Sequence, residues 1–152
     1  MKKIAVGADA VGLLLKDEIV SYLKDEGYGV TDLGVKEESD KTFYANVAEK
    51  VALAVRDEDY DRGLLFCGTG IGMSIAANKV PGVFATVCHD PYSAERASLS
   101  NNAKIITMGY RVIGKETAKV VLKHWLDNDF VEGCKSQSNV DEVTKLDEKY
   151  KG

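Results

Sequence analysis

Short apolar runs alternate along the chain with longer stretches whose apolar residues recur at helical spacing. "KKIAVGA" is a β-rich run, and "GLLLKDEIVSYLKDEG" follows it with Leu15, Ile19, Tyr22 and Leu23 on one helical face and Gly27 as the stop. "YGVTDLG" predicts a second strand, and "EESDKTF" is a polar loop of the kind that often carries function. "FYANVAEKVALAVRDED" predicts a helix with Val47, Val51 and Val55 in register. "RGLLFC" is a fully apolar strand, and "IGMSIAANK" reads as a short helix beyond a glycine turn. "GVFATVC" and "AKIITMG" predict the fourth and fifth strands. Between them "PYSAERASLS" carries Pro91 at a helix start. "GKETAKVVLKHWLDN" is a long amphipathic helix, and the tail "SNVDEVTKLDEKYK" predicts a last helix capped by Ser138 or Asn139.

Strands that are apolar at consecutive positions belong in a sheet covered on both faces. Five strand–helix units in order therefore predict an open parallel α/β sheet. In such folds ligands sit beyond the carboxyl ends of the strands. Four of those ends stand out: Asp9, the loop to Tyr44, Cys67 with its glycines, and His89 with Asp90.

Composition narrows the classes. The 152 residues, 45% apolar and 29% charged, predict one globular domain over residues 1–152 with a core that needs no staples. A net charge of −4 without a Lys/Arg cluster gives no nucleic-acid surface. No apolar run approaches the roughly 18 residues of a membrane span, and the basic-then-apolar start is too short for a secretory leader. A cytoplasmic protein is expected. The three cysteines, Cys67, Cys88 and Cys134, have no pairing pattern, and a lone cysteine is usually buried and inert. His89 and His124 lie far apart and no CxxC occurs, so neither a metal site nor a cofactor is expected.

The candidate chemistry sits in "LLFCGTGIGMS". Gly68, Gly70 and Gly72 follow a strand and open a helix, where bare amides can face an anion. The run lacks the GK[ST] of a P-loop and is GxGxG, not GxGxxG. A thiol at the mouth of such a turn can serve as nucleophile or general base. Amides beside it can hold an oxyanion, and Thr69 can relay a proton between neighbouring oxygens. A base beside an oxyanion cradle is what proton abstraction next to a carbonyl requires.

"CGTGIGMSIAANKVPG" resembles the glycine-loop signature of type B ribose-5-phosphate isomerases and the related galactose-6-phosphate isomerase subunits. "KKIAVGAD" with "GLLLKDEI", "VCHDPYSAERA" and "ITMGYRVIG" extend the likeness over nearly the whole chain. The resemblance implies a Rossmann-like three-layer sandwich of five parallel strands with a C-terminal helix. It also implies aldose–ketose isomerisation of a sugar phosphate through a cis-enediolate, without metal. It implies a homodimer with its sites at the subunit boundary, and leaves open a tetramer or a hetero-oligomer with a related subunit. By the same resemblance Cys67 is the base and Thr69 the relay. Gly68, Gly70, Ile71 and Gly72 offer enediolate-binding amides, Asp9, Tyr44 and Asn101 bind substrate, and Arg111 and Lys135 bind phosphate.

The differences from the family pattern concentrate in the site. Where the family has Asp-His this chain has Asp9-Ala10, and Tyr-Pro becomes Tyr44-Ala45. His-Asn becomes Ser100-Asn101, and in "GCKSQSNV" Lys135, Ser136 and Asn139 stand at the positions of Arg, His and Arg. Lysine is a point charge and does not repeat the forked contact of arginine. Ribose 5-phosphate to ribulose 5-phosphate is the leading expectation. The alternatives are an isomerase of a tetrose phosphate or of galactose 6-phosphate, one subunit of a heteromeric isomerase, and a non-catalytic module that binds a small anion.

Overall fold

The computed structural model describes residues 1–151; Gly152, the last residue of the predicted domain, lies outside the described residues. The chain folds as β1 (Lys3–Ala8), α1 (Leu13–Asp25), β2 (Gly29–Asp32), α2 (Tyr44–Arg56), β3 (Arg62–Cys67) and α3 (Ile71–Ala77). It continues as β4 (Ala85–Val87), α4 (Pro91–Leu99), β5 (Ile105–Gly109), α5 (Lys115–Leu126) and α6 (Gln137–Lys151). The five strands form one sheet in the order β2-β1-β3-β5-β4, every pair parallel. This is the expected Rossmann-like three-layer α/β architecture.

Alternate residues of each strand face opposite layers. Ile4, Val6 and Ala8 of β1, Leu64 and Phe66 of β3, and Ile106 and Met108 of β5 pack with α1, α4 and α5. Ala5, Leu65, Cys67 and Ile105 point the other way, into Val47, Val51 and Val55 of α2 and Met73 and Ala77 of α3. Every residue of β1 from Ile4 onward, and all of β3 and β5, is buried, as consecutive apolar positions require. The two edge strands depart from that reading. β2 alternates between exposed and half-buried positions, and β4 is half-buried throughout, because each lacks a neighbour on one side.

Three local expectations are corrected. β4 is three residues long and begins at Ala85, later than its sequence run, because the left-handed Gly82 (φ 84°) and the Val83 N–H on the Val80 carbonyl keep the chain in a turn; its outer edge at Ala85 is paired by the Asn78 side chain. The Asn78 amide accepts the Ala85 N–H at 2.8 Å and donates to the Ala85 carbonyl at 2.7 Å. α6 begins at Gln137, so Ser138 and Asn139 lie inside its first turn and cap nothing. Cys134 is half-buried in the loop before α6, not sealed in the core, whereas Cys88 is buried and its thiol is pushed up to about 12 by burial.

Arg62, the first residue of β3, locks the end of the sheet opposite Cys67. Its buried guanidinium donates to Ser98 Oγ and the Trp125 carbonyl, both at 3.0 Å, and to the Asn128 carbonyl and Asp129 Oδ1 at 2.7 and 2.9 Å. It also lies over the Trp125 ring, 4.9 Å from its centroid. Removing it leaves the Trp125 carbonyl with only the Ser98 hydroxyl as donor and takes the donor from the half-buried Asn128 carbonyl. Arg62→Ala is expected to cost about 2–4 kcal/mol, read from the urea midpoint, and Arg62→Lys to recover only part of that because an ammonium lacks the fork.

At the other end His89 extends the β4–β5 ladder where the backbone stops. Cys88 N–H donates to the Thr107 carbonyl, and two residues further along β5 the Gly109 N–H donates to His89 Nε2 at 2.9 Å. Nε2 accepts only in a ring that is neutral with its proton on Nδ1. Burial holds the His89 pKa below its ordinary 6.5, against the opposing pull of the Asp90 charge. The unfolded ring therefore takes up its proton at higher pH than the folded one. The stabilisation is complete above about pH 6.5 and is lost as pH falls through the folded value. The thermal midpoint is expected to fall between about pH 7 and 5, and to fall less in His89→Gln, whose amide oxygen still accepts the Gly109 N–H. An equal fall in both proteins would show that His89 is not responsible.

Candidate active site

In the strand order β2-β1-β3-β5-β4 the chain leaves β1 in one direction and returns at β3 to proceed in the other. The crevice between their carboxyl ends is the topological switch point, where open α/β sheets bind ligands. Asp9 follows the end of β1 and Cys67 ends β3, so these two residues face each other across that point. The Asp9 N–H donates to the Phe66 carbonyl at 3.2 Å, and its carboxylate accepts the Gly12 N–H at 3.0 Å. Asp9 thus stitches the two strand ends together and fixes the entry to α1.

Beyond Cys67 the chain reverses within three residues to begin α3. Gly70 sits in the left-handed region at φ 81°, ψ −13°, which a side chain would strain. That conformation turns the Gly70 N–H back onto Cys67 Sγ at 3.1 Å. The sulfur is buried with the side chain 6% exposed, while Thr69 beside it is exposed. Thr69 Oγ1 accepts the Ile71 N–H at 3.2 Å, which leaves its own proton available to a second group. The Thr69, Gly72 and Met73 amides have no acceptor among the described residues. The loop thus presents a sulfur, a hydroxyl and unpaired N–H groups within a few residues.

β5 supports this loop from below. Gly109 is opposite Cys67 in the β3–β5 register, and a Cβ at Gly109 would lie 2.4 Å from the Thr69 Cα, so no side chain fits between them. The Tyr110 N–H donates to the Cys67 carbonyl at 2.9 Å and the Arg111 N–H to the Gly68 carbonyl at 3.0 Å. The Arg111 side chain then runs across Gly68. It is exposed and, among the described residues, makes no ion pair or side-chain hydrogen bond. An uncommitted guanidinium over a set of unpaired amides is a receptor for an anion. Tyr44, at the start of α2, packs its ring directly on Gly72 and closes the far wall.

The structure therefore brings Asp9, Tyr44, Cys67, Gly68, Thr69, Gly70, Ile71, Gly72 and Arg111 to one end of the sheet. It does not bring Asn101 and Lys135 there within one copy of the chain. Asn101 follows α4 and precedes β5, whose five residues at about 3.3 Å each separate it from Gly109 and Cys67 by on the order of 13 Å or more. Lys135 lies in the segment between α5 and α6, whose Asp129, Phe130 and Glu132 line a cavity with Met1, Lys2 and Arg62 at the opposite end of the sheet. His124 is exposed on α5, away from the loop.

His89, one of the four strand ends that stand out in the sequence, touches the loop's support through Gly109, and Thr107, which the sequence motifs do not single out for chemistry, donates its hydroxyl to the Gly70 carbonyl at 2.6 Å. The available signal for Thr107 was a lone polar residue inside the apolar run "IITMG".

Comparison with known proteins agrees with this geometry. The family model described as "Ribose/Galactose Isomerase" matches residues 4–143. A Listeria innocua protein named ribose-5-P isomerase B is 50% identical over 147 residues, covering 97% of this chain and 98% of its own. A Pectobacterium atrosepticum protein named D-erythrulose-4-phosphate isomerase is 47% identical over 143 residues, covering 94% and 93%. The solved structure of ribose-5-phosphate isomerase B from Clostridium thermocellum superposes with a TM-score of 0.92 at 40% identity, covering 97% of this chain and 99% of that one. The site at the switch point is thus carried on the fold of a known group of isomerases, and the chain belongs to the ribose/galactose isomerase family.

Proposed function

We propose that the chain is a single-domain sugar-phosphate isomerase that interconverts ribose 5-phosphate and ribulose 5-phosphate, with Cys67 as the base. The observation that carries the reading is the Gly70 N–H on Cys67 Sγ, at the mouth of a loop with unpaired amides and an uncommitted Arg111. In the forward direction the Cys67 thiolate takes the proton from carbon 2 of the open-chain aldose. The electron pair moves through carbon 1 onto the aldehyde oxygen, giving an enediolate. The amides of the 68–72 loop hold the oxygen that becomes charged. Thr69 passes the hydroxyl proton from oxygen 2 to oxygen 1, and Cys67 returns its proton to carbon 1. The aldehyde becomes a hydroxyl, the carbon-2 hydroxyl becomes the ketone, and the protein ends as it began.

A composite site follows from the placement of the remaining residues. Asn101 and Lys135 lie at the far end of the sheet in the same copy, so they serve a site only when they come from a second copy. Exposed Val11, Phe43, Tyr44, Ile71, Ile75 and Tyr110 surround the loop and offer an apolar rim for that copy to cover. In this reading the working unit is a dimer in which each sulfur is paired with the other chain's Asn101 and Lys135.

A four-carbon aldose phosphate is a second reading. Ala10 and Ser100 supply no imidazole, and Nε2 of His89 is committed to Gly109. A tetrose 4-phosphate has no hydroxyl left to close a stable ring and needs no ring opener. The Pectobacterium relative is named for a substrate of that size.

Assays against aldose phosphates of four, five and six carbons separate these readings. Turnover of ribose 5-phosphate is expected, falling by about 10²–10⁴-fold in Cys67→Ala, the usual worth of a positioned base. A tenfold or greater preference in kcat/KM for erythrose 4-phosphate would transfer the assignment to the four-carbon substrate. No turnover of any of them would leave the heteromeric subunit and the binding module, which differ in whether a related chain restores activity.

The composite site has its own check. Cys67→Ala and Lys135→Glu are each expected to be impaired, and mixing them with subunit exchange to restore about a quarter of wild-type activity, since half the dimers then hold one intact site. Restoration to no more than the average of the two variants would place all the residues of a site in one copy.

A further inference from the structure

β5 carries one polar side chain among Ile105, Ile106 and Met108, and that residue, Thr107, is completely buried. It lies on the same face of the sheet as Cys67, because the β3–β5 register pairs it with Leu65, two residues before the cysteine. Its hydroxyl donates to the Gly70 carbonyl at 2.6 Å, and the same carbonyl accepts the Ser74 N–H of α3 at 3.1 Å. Both lone pairs of that oxygen are therefore occupied, one by the sheet and one by the helix. Only the two soft dihedrals of Gly70 separate this carbonyl from the N–H that meets the sulfur. Glycine by itself holds those dihedrals loosely.

We infer that Thr107 is a positioning residue for the isomerisation, its hydroxyl clamping the Gly70 peptide so that the Gly70 N–H stays on the Cys67 sulfur. The inference rests on the reading of Cys67 as the base. Thr107 does not touch the sulfur; it acts through Gly70. A left-handed glycine anchored at its carbonyl by both β5 and α3 keeps its amide aimed while the proton moves between carbon and sulfur. Without the hydroxyl, Gly70 retains only the Ser74 bond, and the amide is free to swing off the sulfur and open the cradle. A valine would fill the same space and lack only the donor, so it isolates this role from packing.

The test compares Thr107→Val, Thr107→Ala and Thr107→Ser in the full chain, with Cys67→Ala as the control for the base. Two readouts are taken: hydrogen exchange of the Gly70 amide by NMR, and kcat and KM on the substrate that the wild type turns over. In Thr107→Val the Gly70 amide is expected to exchange about tenfold faster or more, with kcat down about tenfold and KM changed by less than about threefold. Thr107→Ser is expected to restore both readouts to near wild type. Thr107→Ala, which relieves any misfit of the valine, is expected to behave as Thr107→Val and carries the test if the valine protein does not fold. Gly70 exchange and kcat within about twofold of wild type in the valine and alanine proteins would overturn the inference. A defect that serine does not restore would also overturn it, because the lost methyl and not the hydroxyl would be responsible. Turnover surviving in Cys67→Ala would overturn the base reading and this role with it, whereas an inactive Cys67→Ala beside an unperturbed Gly70 amide in Thr107→Val would overturn the role of Thr107 alone.

Discussion

The site depends on a single reversal of the chain at Gly70. β3 must end with its sulfur at the edge of a buried sheet, and α3 must begin four residues later. The left-handed glycine achieves both, and in doing so points its N–H at Cys67 Sγ. Everything around the loop serves to hold that reversal. Gly109 leaves room beneath Thr69, the amides of Tyr110 and Arg111 take the carbonyls of Cys67 and Gly68, and Thr107 takes the carbonyl of Gly70. A turn of this kind on an exposed loop would sample many states, but fixed to two buried strands it samples few.

The support is graded from the core outward. The β3–β5 pair is apolar and sealed, which is why it serves as the mount. β4 is short and half-buried, and its contribution beyond the backbone ladder is the His89 ring on Gly109. A free positive charge stands at the outer layer: Arg111 is exposed and, among the described residues, uncommitted, in contrast to Arg62, whose guanidinium is buried and fully engaged at the opposite end. The two arginines show how one side chain serves structure when its hydrogen bonds are filled and is free for a ligand when they are not.

Much of this was legible in the sequence, for physical reasons. Consecutive apolar positions marked β1, β3 and β5 because both faces of those strands are covered, and the 3.6-residue spacing of Val47, Val51 and Val55 marked α2. The thiol beside spaced glycines marked the loop, since few structural turns need both. The edges were less legible. β4 loses its first residues to the turn at Gly82 and Val83, and α6 starts a residue before its expected cap. Neither effect leaves a trace in periodicity. His89 was legible as a strand end, but its partner Gly109 and the clamp by Thr107 were hidden because they depend on strand order and register, which bring together residues 20 and 37 positions apart. The separation of Asn101 and Lys135 from Cys67 was hidden for the same reason.

The central claim is that the Cys67 sulfur moves the hydrogen of carbon 2 as a proton. The most direct measurement uses aldose phosphate deuterated at carbon 2 and follows departure of that deuterium by NMR during turnover. The account expects the deuterium to leave carbon 2 with the wild type, passing through the sulfur to carbon 1 or to water, and its departure to fall together with turnover in Cys67→Ala. Removal of deuterium from carbon 2 at the wild-type rate in Cys67→Ala would contradict it.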